Sequence, residues 1–374
     1  MAFEKVTEYL DHLVADEGVP GCDLAIWIDH RPVYRHFAGE RAPDRPMDGT
    51  ESYWLYSATK VITMTVAMQL IERGVLRLSD PVADYLPAYA HLTVRDGDAL
   101  RPARTIMTIE HLMAMQGGLD YELNPEAQEV IARRGQAVTL PQIAEALASK
   151  PLHFDPGQGF RYSFCHDVLG AVMEVATGAR LGELARRQVF EPLGISTLTF
   201  HPSQAEASRL AALYTLESGE LRRVIRRKDA MFDLPNVDSG GGGLMGDVGG
   251  YIVLADALAN GGVGANGARI LSSASIDDMR RNRQSGPSMT DFLRVRHKRG
   301  YGYGLGVRTL IDPSVSKSPI GEFGWDGAAG AWVMMDPDHH LSAFYAQHVL
   351  NDNRAFYDHH PTLRDLIQAQ ARGA

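Results

Sequence analysis

The chain's 374 residues suffice for two or three domain-sized units, and 45% apolar with 22% charged residues describe a globular protein with a sizeable core. A formal net charge of −9 with no dense Lys/Arg run weighs against nucleic acid as a partner. No stretch reaches the roughly eighteen consecutive apolar residues of a membrane-spanning helix, so a span of that kind is excluded.

Residues 3–16 read as an amphipathic helix with Phe3, Val6, Leu10 and Leu13 on one side, ended by Gly18, Pro20 and Gly21. Acidic Glu4 breaks the apolar stretch that a secretory signal needs. Cys22 and Cys165 sit outside any CxxC pattern and fit a reducing compartment. A cytoplasmic protein is the expectation. Strands are expected over Cys22–Ile28 and Val33–Ala38, joined by a turn at Asp29-His30-Arg31-Pro32. Residues 57–73 form a helix apolar almost all round, stopped by Gly74, and such a helix belongs in a core.

From about 105 to 235 helical segments alternate with Pro/Gly loops, including 139–148, 167–177 and 180–190; helices return at 248–260 and 272–282. Arg222, Arg223, Arg226, Arg227 and Lys228 lack interleaved aromatics and read as a solvated face. Residues 284–299 look like a long loop. Strands follow at Tyr301–Leu310, Ala331–Met335 and Leu341–His348, and a last helix spans 361–372. The pattern predicts one α/β domain assembled from 1–90 and 240–374, with a mainly helical domain, 91–239, inserted and the active site between them.

Ser57-Ala58-Thr59-Lys60 opens the buried helix. Residues three apart on a helix project from the same side, so the amine reaches the hydroxyl. A serine hydroxyl attacks only when a neighbour takes its proton, and an amine does so when burial or nearby charge favours its neutral form. The position of Ser57 at the helix N-terminus adds a dipole that favours oxyanion charge. A second S-x-x-K, Ser314 to Lys317, lies in a Pro/Ser-rich loop with no helix after it and reads as chance.

The run Tyr56 to Lys60, with Met68 to Gly74 and Leu78-Ser79-Asp80-Pro81 to Pro87, resembles the class C β-lactamase and family VIII carboxylesterase group. The resemblance continues through Met107 to Met113, Gly117-Gly118-Leu119, Phe154-Asp155-Pro156-Gly157, Glu191-Pro192-Leu193-Gly194 and the glycine run Gly240 to Gly243, in collinear order over most of the chain. It implies the β-lactamase/penicillin-binding-protein (transpeptidase-like) fold, a central antiparallel sheet flanked by helices beside an all-helical domain. It further implies that Tyr162 is the general base, later general acid, made effective by the adjacent Lys60. The backbone N–H groups of Ser57 and Ala328 would form the oxyanion hole.

Departures from the β-lactamase pattern matter. Phe164 stands where those enzymes carry an asparagine that holds the substrate amide, and Trp325-Asp326-Gly327 stands where they carry Lys-Thr-Gly. Trp325 is expected to offer an apolar wall, Asp326 to repel anionic substrates, and Gly327 to admit the acyl group closely. Tyr56, Phe164, Trp325, Asp326 and Gly327 are the expected substrate-binding residues.

The implied activity is ester hydrolysis through an acyl-enzyme on a small-molecule ester, favouring neutral or cationic esters with short acyl groups. An amidase, D-aminopeptidase or acyltransferase on the same scaffold is the alternative, with a β-lactamase ranked behind it and a non-catalytic binding member a further reading. No cofactor or metal is expected. Gly241-x-Gly243-x-x-Gly246 lacks a preceding parallel strand and reads as a tight turn. His339-His340 and His359-His360 read as solvent-facing pairs, without metal-site spacing. Cys165 and His166 are close enough in sequence to Tyr162 to line the pocket.

Overall fold

The computed structural model describes residues 3–225, 230–296 and 298–371. Its main sheet has eight strands, in the order Tyr301–Tyr303, Arg308–Leu310, Phe323–Gly324, Trp332–Asp336, Leu341–Gln347, Gly21–Ile28, Arg31–Ala42 and Arg45–Pro46. Every pairing in it is antiparallel. The central strands are apolar on both faces because both faces are covered. Leu24, Ile26, Trp332, Met334 and Tyr345 point toward the helices Glu4–Ala15 and His360–Ala371. The alternate residues Ala25, Val333, Met335 and Phe344 join the larger core on the opposite face. There the helix Val248–Ala259 lies on the sheet, with Tyr251 stacked on Phe344 at 4.0 Å between centroids. The apolar helix Thr59–Glu72 runs within that core, buried from Thr59 through Leu70. Among the described residues no helix is long and apolar enough to cross a membrane.

Several elements differ from the sequence expectation, each for a local reason. Tyr301–Leu310 is two paired strands, because Gly304 and Gly306 turn the chain between them, with Gly306 at φ +75°. The expected loop 284–299 contains the helix Gly286–Arg296, started by Pro287 in its first turn and anchored by buried Phe292 against Phe160 and Tyr303. Within the middle third, Tyr214–Glu217 and Glu220–Arg223 form a hairpin that adds to Val349–Leu350 as a small three-stranded sheet. His359 and His360 are buried, against expectation, with His360 stacked on Trp332 at 5.8 Å and bonded to the Gly330 carbonyl at 3.1 Å. Arg222 and Arg223 are exposed, whereas Arg226, Arg227 and Lys228 of the basic stretch lie outside the described residues.

Burial also builds an acid sensitivity into the fold. His348 is buried between the rings of Tyr53 and Tyr214, and desolvation lowers its pKa from 6.5 to about 4. Being depressed in the folded state, it leaves stability intact above pH 6.5 and removes it progressively as pH falls toward 4, where the unfolded chain alone takes the proton. At pH 5 this loss is about 2 kcal/mol. Urea unfolding at pH 7 and pH 5 should show His348→Phe less acid-sensitive than the wild type by that amount; identical pH dependence in the two proteins would remove His348 from the account.

Candidate active site

The chain enters the serine helix through a constrained turn. Tyr56 has φ +44°, a conformation that costs an aromatic residue strain and persists only when its surroundings fix it. They do so on three sides. Leu55 N–H donates to the Leu244 carbonyl at 3.0 Å, Leu244 N–H donates to Thr59 Oγ1 at 3.1 Å, and Tyr251 Oη donates to the Ala58 carbonyl at 2.7 Å. Ser57 thereby sits in a short 3₁₀ turn leading into the helix, facing a cavity of about 700 Å³.

Lys60 is fully buried, and a buried ammonium must find acceptors. It has three, Ser57 Oγ at 3.1 Å, Tyr121 Oη at 2.9 Å and the Gly241 carbonyl at 2.5 Å. The glycine run is required at this point. A Cβ on Gly241 would collide with the Asp167 carboxylate, and one on Gly240 would lie 2.5 Å from the His166 carbonyl oxygen. The run turns back through Gly242 and Gly243 N–H bonds to the Ser239 carbonyl, at 3.3 and 2.9 Å, which is the expected tight turn. Asp167 fixes its other side, accepting from Ser239 Oγ at 2.5 Å and Gly241 N–H at 3.3 Å. Burial raises the Asp167 pKa, opposed by the Ser239 bond and the Lys60 charge.

Tyr162 stands beside this pair, its ring centroid 4.7 Å from Lys60 Nζ. Its oxygen accepts a hydrogen bond from Trp325 Nε1 at 2.8 Å. An indole N–H only donates, so this bond supports negative charge on the phenol oxygen. Trp325 itself is fully buried against Tyr162 and Tyr303. It lines neither cavity at Ser57 and holds Tyr162 from behind, where the sequence suggested a substrate wall. Asp326 also departs from expectation. Its carboxylate is 4% exposed, 2.6 Å from Lys298 and 3.4 Å from Arg308. Burial alone would raise its pKa, but those two cations hold it well below the usual carboxylate range. A charge so offset does not repel an anionic substrate as an open one would.

Gly327 and Ala328 belong to a second cavity of about 250 Å³ that also reaches Ser57 and Tyr162. The turn there closes through Gly327 N–H to the Ala331 carbonyl and Gly330 N–H to the Gly327 carbonyl, at 2.7 and 2.9 Å. Neither bond uses the Ala328 N–H, and Ala328 borders both cavities. Tyr56 and Phe164 line the larger cavity together with Leu123, Val224, Phe232 and Leu350. Cys165 and His166 lie buried behind it rather than lining it. Lys317 of the second S-x-x-K is exposed on a loop. Among the described residues no group of three or more His, Cys, Asp or Glu side chains is placed to hold a metal ion.

The beta-lactamase family profile matches residues 6–372. The chain belongs to the beta-lactamase family. Among its curated relatives are Esterase EstB of Burkholderia gladioli, 31% identical with 83% of this chain and 82% of the relative covered, and lovastatin esterase of Penicillium rubens, 29% identical over 75% and 76%. The solved structure of EstCE1, described as a hydrolase with promiscuous acyltransferase activity, superposes with a TM-score of 0.81 at 24% identity, covering 98% of both chains. Such structures support the β-lactamase/penicillin-binding-protein fold, here with its large antiparallel sheet flanked by helices.

Sequence reasoning missed Tyr121, Asp167 and Lys298. Tyr121 follows Gly117-Gly118-Leu119 by two residues, and Asp167 is an acid in the first turn of the mainly apolar helix Cys165–Thr177. Both signals were present. Lys298 gave none, since its partner Asp326 is distant in sequence and meets it only through the fold.

Proposed function

We propose that this member of the beta-lactamase family is a carboxylesterase that hydrolyses small-molecule esters through an acyl-enzyme on Ser57. The observation that carries the reading is the 3.1 Å bond from buried Lys60 to Ser57 Oγ, in a turn whose strain aims the hydroxyl into a cavity. Tyr162, beside Lys60, takes the Ser57 proton as the acyl carbon is attacked. The N–H groups of Ser57 and Ala328 receive the developing oxyanion. Water then releases the acid.

The larger cavity supports neutral or cationic esters with one bulky apolar group. Its described lining pairs Leu123, Phe164, Met231 and Phe232 with the acids Asp167 and Glu217, and includes no Lys or Arg. The short acyl group fits the smaller cavity. A second reading, acyl transfer, is favoured by that same pair of cavities, because an alcohol acceptor in one can meet an acyl-enzyme reaching into the other. Two buried unpaired cysteines, Cys22 and Cys165, support a cytoplasmic location.

A substrate panel tests the reading. p-Nitrophenyl butyrate should be cleaved with a kcat/KM at least about 100-fold above nitrocefin and a D-amino-acid anilide, the size of effect by which an apolar pocket rejects a ligand that adds a polar group. Faster turnover of the carboxylate-bearing β-lactam would sink it. Ester formation on adding excess alcohol to the same assay would add the transferase activity.

A further inference from the structure

Two tyrosines, not one, surround the Ser57–Lys60 pair. Tyr121 is joined to it directly, since the Lys60 ammonium that bonds Ser57 Oγ at 3.1 Å bonds Tyr121 Oη at 2.9 Å. The loop that delivers Tyr121 is anchored at the preceding residue. Asp120 accepts from Lys150 Nζ at 2.7 Å and contacts His153 Nε2 at 2.8 Å, while its carbonyl accepts from Phe164 N–H at 3.2 Å. The Tyr121 ring packs edge-on against Tyr162 and Phe164, with centroids at 5.5 and 4.9 Å. Yet it is 41% exposed and lines the larger cavity. Tyr162 differs in that its oxygen accepts from the buried indole of Trp325. One phenol oxygen therefore lies against a buried indole donor, while the other lies between an ammonium, which makes its proton easier to give up, and the cavity.

We propose that the two phenols divide the acid–base work, with Tyr162 accepting the proton of Ser57 and Tyr121 acting as the general acid for the departing alcohol. The proposal rests on Ser57 being the nucleophile and Tyr162 its base. In acylation the Ser57 Oγ–H proton passes to the Tyr162 phenolate as the bond from Oγ to the acyl carbon forms. The tetrahedral intermediate then breaks the bond between that carbon and the alcohol oxygen. The electron pair leaves with the oxygen, which takes the Tyr121 hydroxyl proton. Lys60 returns a proton to Tyr121 along their hydrogen bond and is refilled from Tyr162. One proton has moved from Ser57 to the alcohol, and the phenolate on Tyr162 is restored.

This division predicts a dependence on the leaving group. A p-nitrophenolate departs without a proton, whereas an alkoxide does not. Acylation rates, read as kcat/KM, should therefore be compared for p-nitrophenyl, phenyl and ethyl butyrates in the wild type and Tyr121→Phe. The variant should lose several-fold on the p-nitrophenyl ester and about 100-fold or more on the ethyl ester, the scale of general-acid catalysis. Tyr162→Phe should lose activity across the whole series. A uniform loss in Tyr121→Phe, or none, overturns the proposal, the uniform loss making Tyr121 a prop for Lys60 and nothing more. Ser57→Ala and Tyr162→Phe both retaining activity would instead sink the underlying nucleophile assignment. Tyr121→Phe keeps the ring and its packing, and an unchanged thermal melt separates chemistry from folding.

Discussion

Ser57→Ala is expected to lower kcat for p-nitrophenyl butyrate by about 10⁶-fold, the loss that follows when a covalent mechanism has no nucleophile. A fluorophosphonate should add one adduct mass to the wild-type chain and none to the variant. The competing nucleophile near the site is Cys165, and its physical state argues against it. It is fully buried, accepts from Ser163 Oγ at 3.1 Å, and burial raises its thiol pKa to about 11. A thiol so protonated and enclosed is inert. Ser57 has the reverse situation, with an open cavity before it and a buried ammonium behind. Retained labelling or turnover in Ser57→Ala would overturn the assignment of the whole site, because Lys60, Tyr162 and the Ala328 N–H have a role only around that oxygen.

What the sequence made legible divides by distance along the chain. Ser57 and Lys60 were readable because one helical turn fixes their relation. The last strands were readable from their aromatic and large apolar residues, expected at Ala331–Met335 and Leu341–His348 and found at Trp332–Asp336 and Leu341–Gln347. Tyr162 rested on resemblance alone, since nothing local in Tyr162-Ser163-Phe164 distinguishes a catalytic phenol from a core one. Tyr121, although it closely follows the Gly117-Gly118-Leu119 run, is not singled out by the sequence for a related reason. Its bond to Lys60 joins positions 61 apart, through a loop that carries no periodicity. Trp325 was misjudged because a tryptophan at a strand edge can face either way, and here the indole turns inward to hold Tyr162. The helix Gly286–Arg296 was hidden by its own opening, since Gly286-Pro287 signals a loop as readily as a first turn.

Asp326 shows how a misread charge becomes a stability prediction. Arg308 is 2% exposed and donates to Glu322 Oε1 and the Val333 carbonyl, each at 3.1 Å, and to Asp326 Oδ1 at 3.4 Å. Glu322 is fully buried, its second oxygen accepting from Tyr301 Oη at 2.8 Å. Removing a buried partner strands the charges it served, at a cost of about 3–5 kcal/mol. Arg308→Met should therefore lower the urea midpoint by that equivalent without changing the m-value. Adding Glu322→Gln to it should return part of the loss, because the carboxylate left unpaired is then neutral, whereas Asp326 keeps Lys298 at 2.6 Å. Activity should fall further than stability explains. Asp326 lies two residues before Ala328, so loosening it moves the amide proposed to hold the oxyanion. A variant as stable as the wild type would show that the Lys298 ion pair alone sustains this strand edge. A destabilised one with unaltered kcat, measured well below its melting point, would separate the charge network from the geometry of the site.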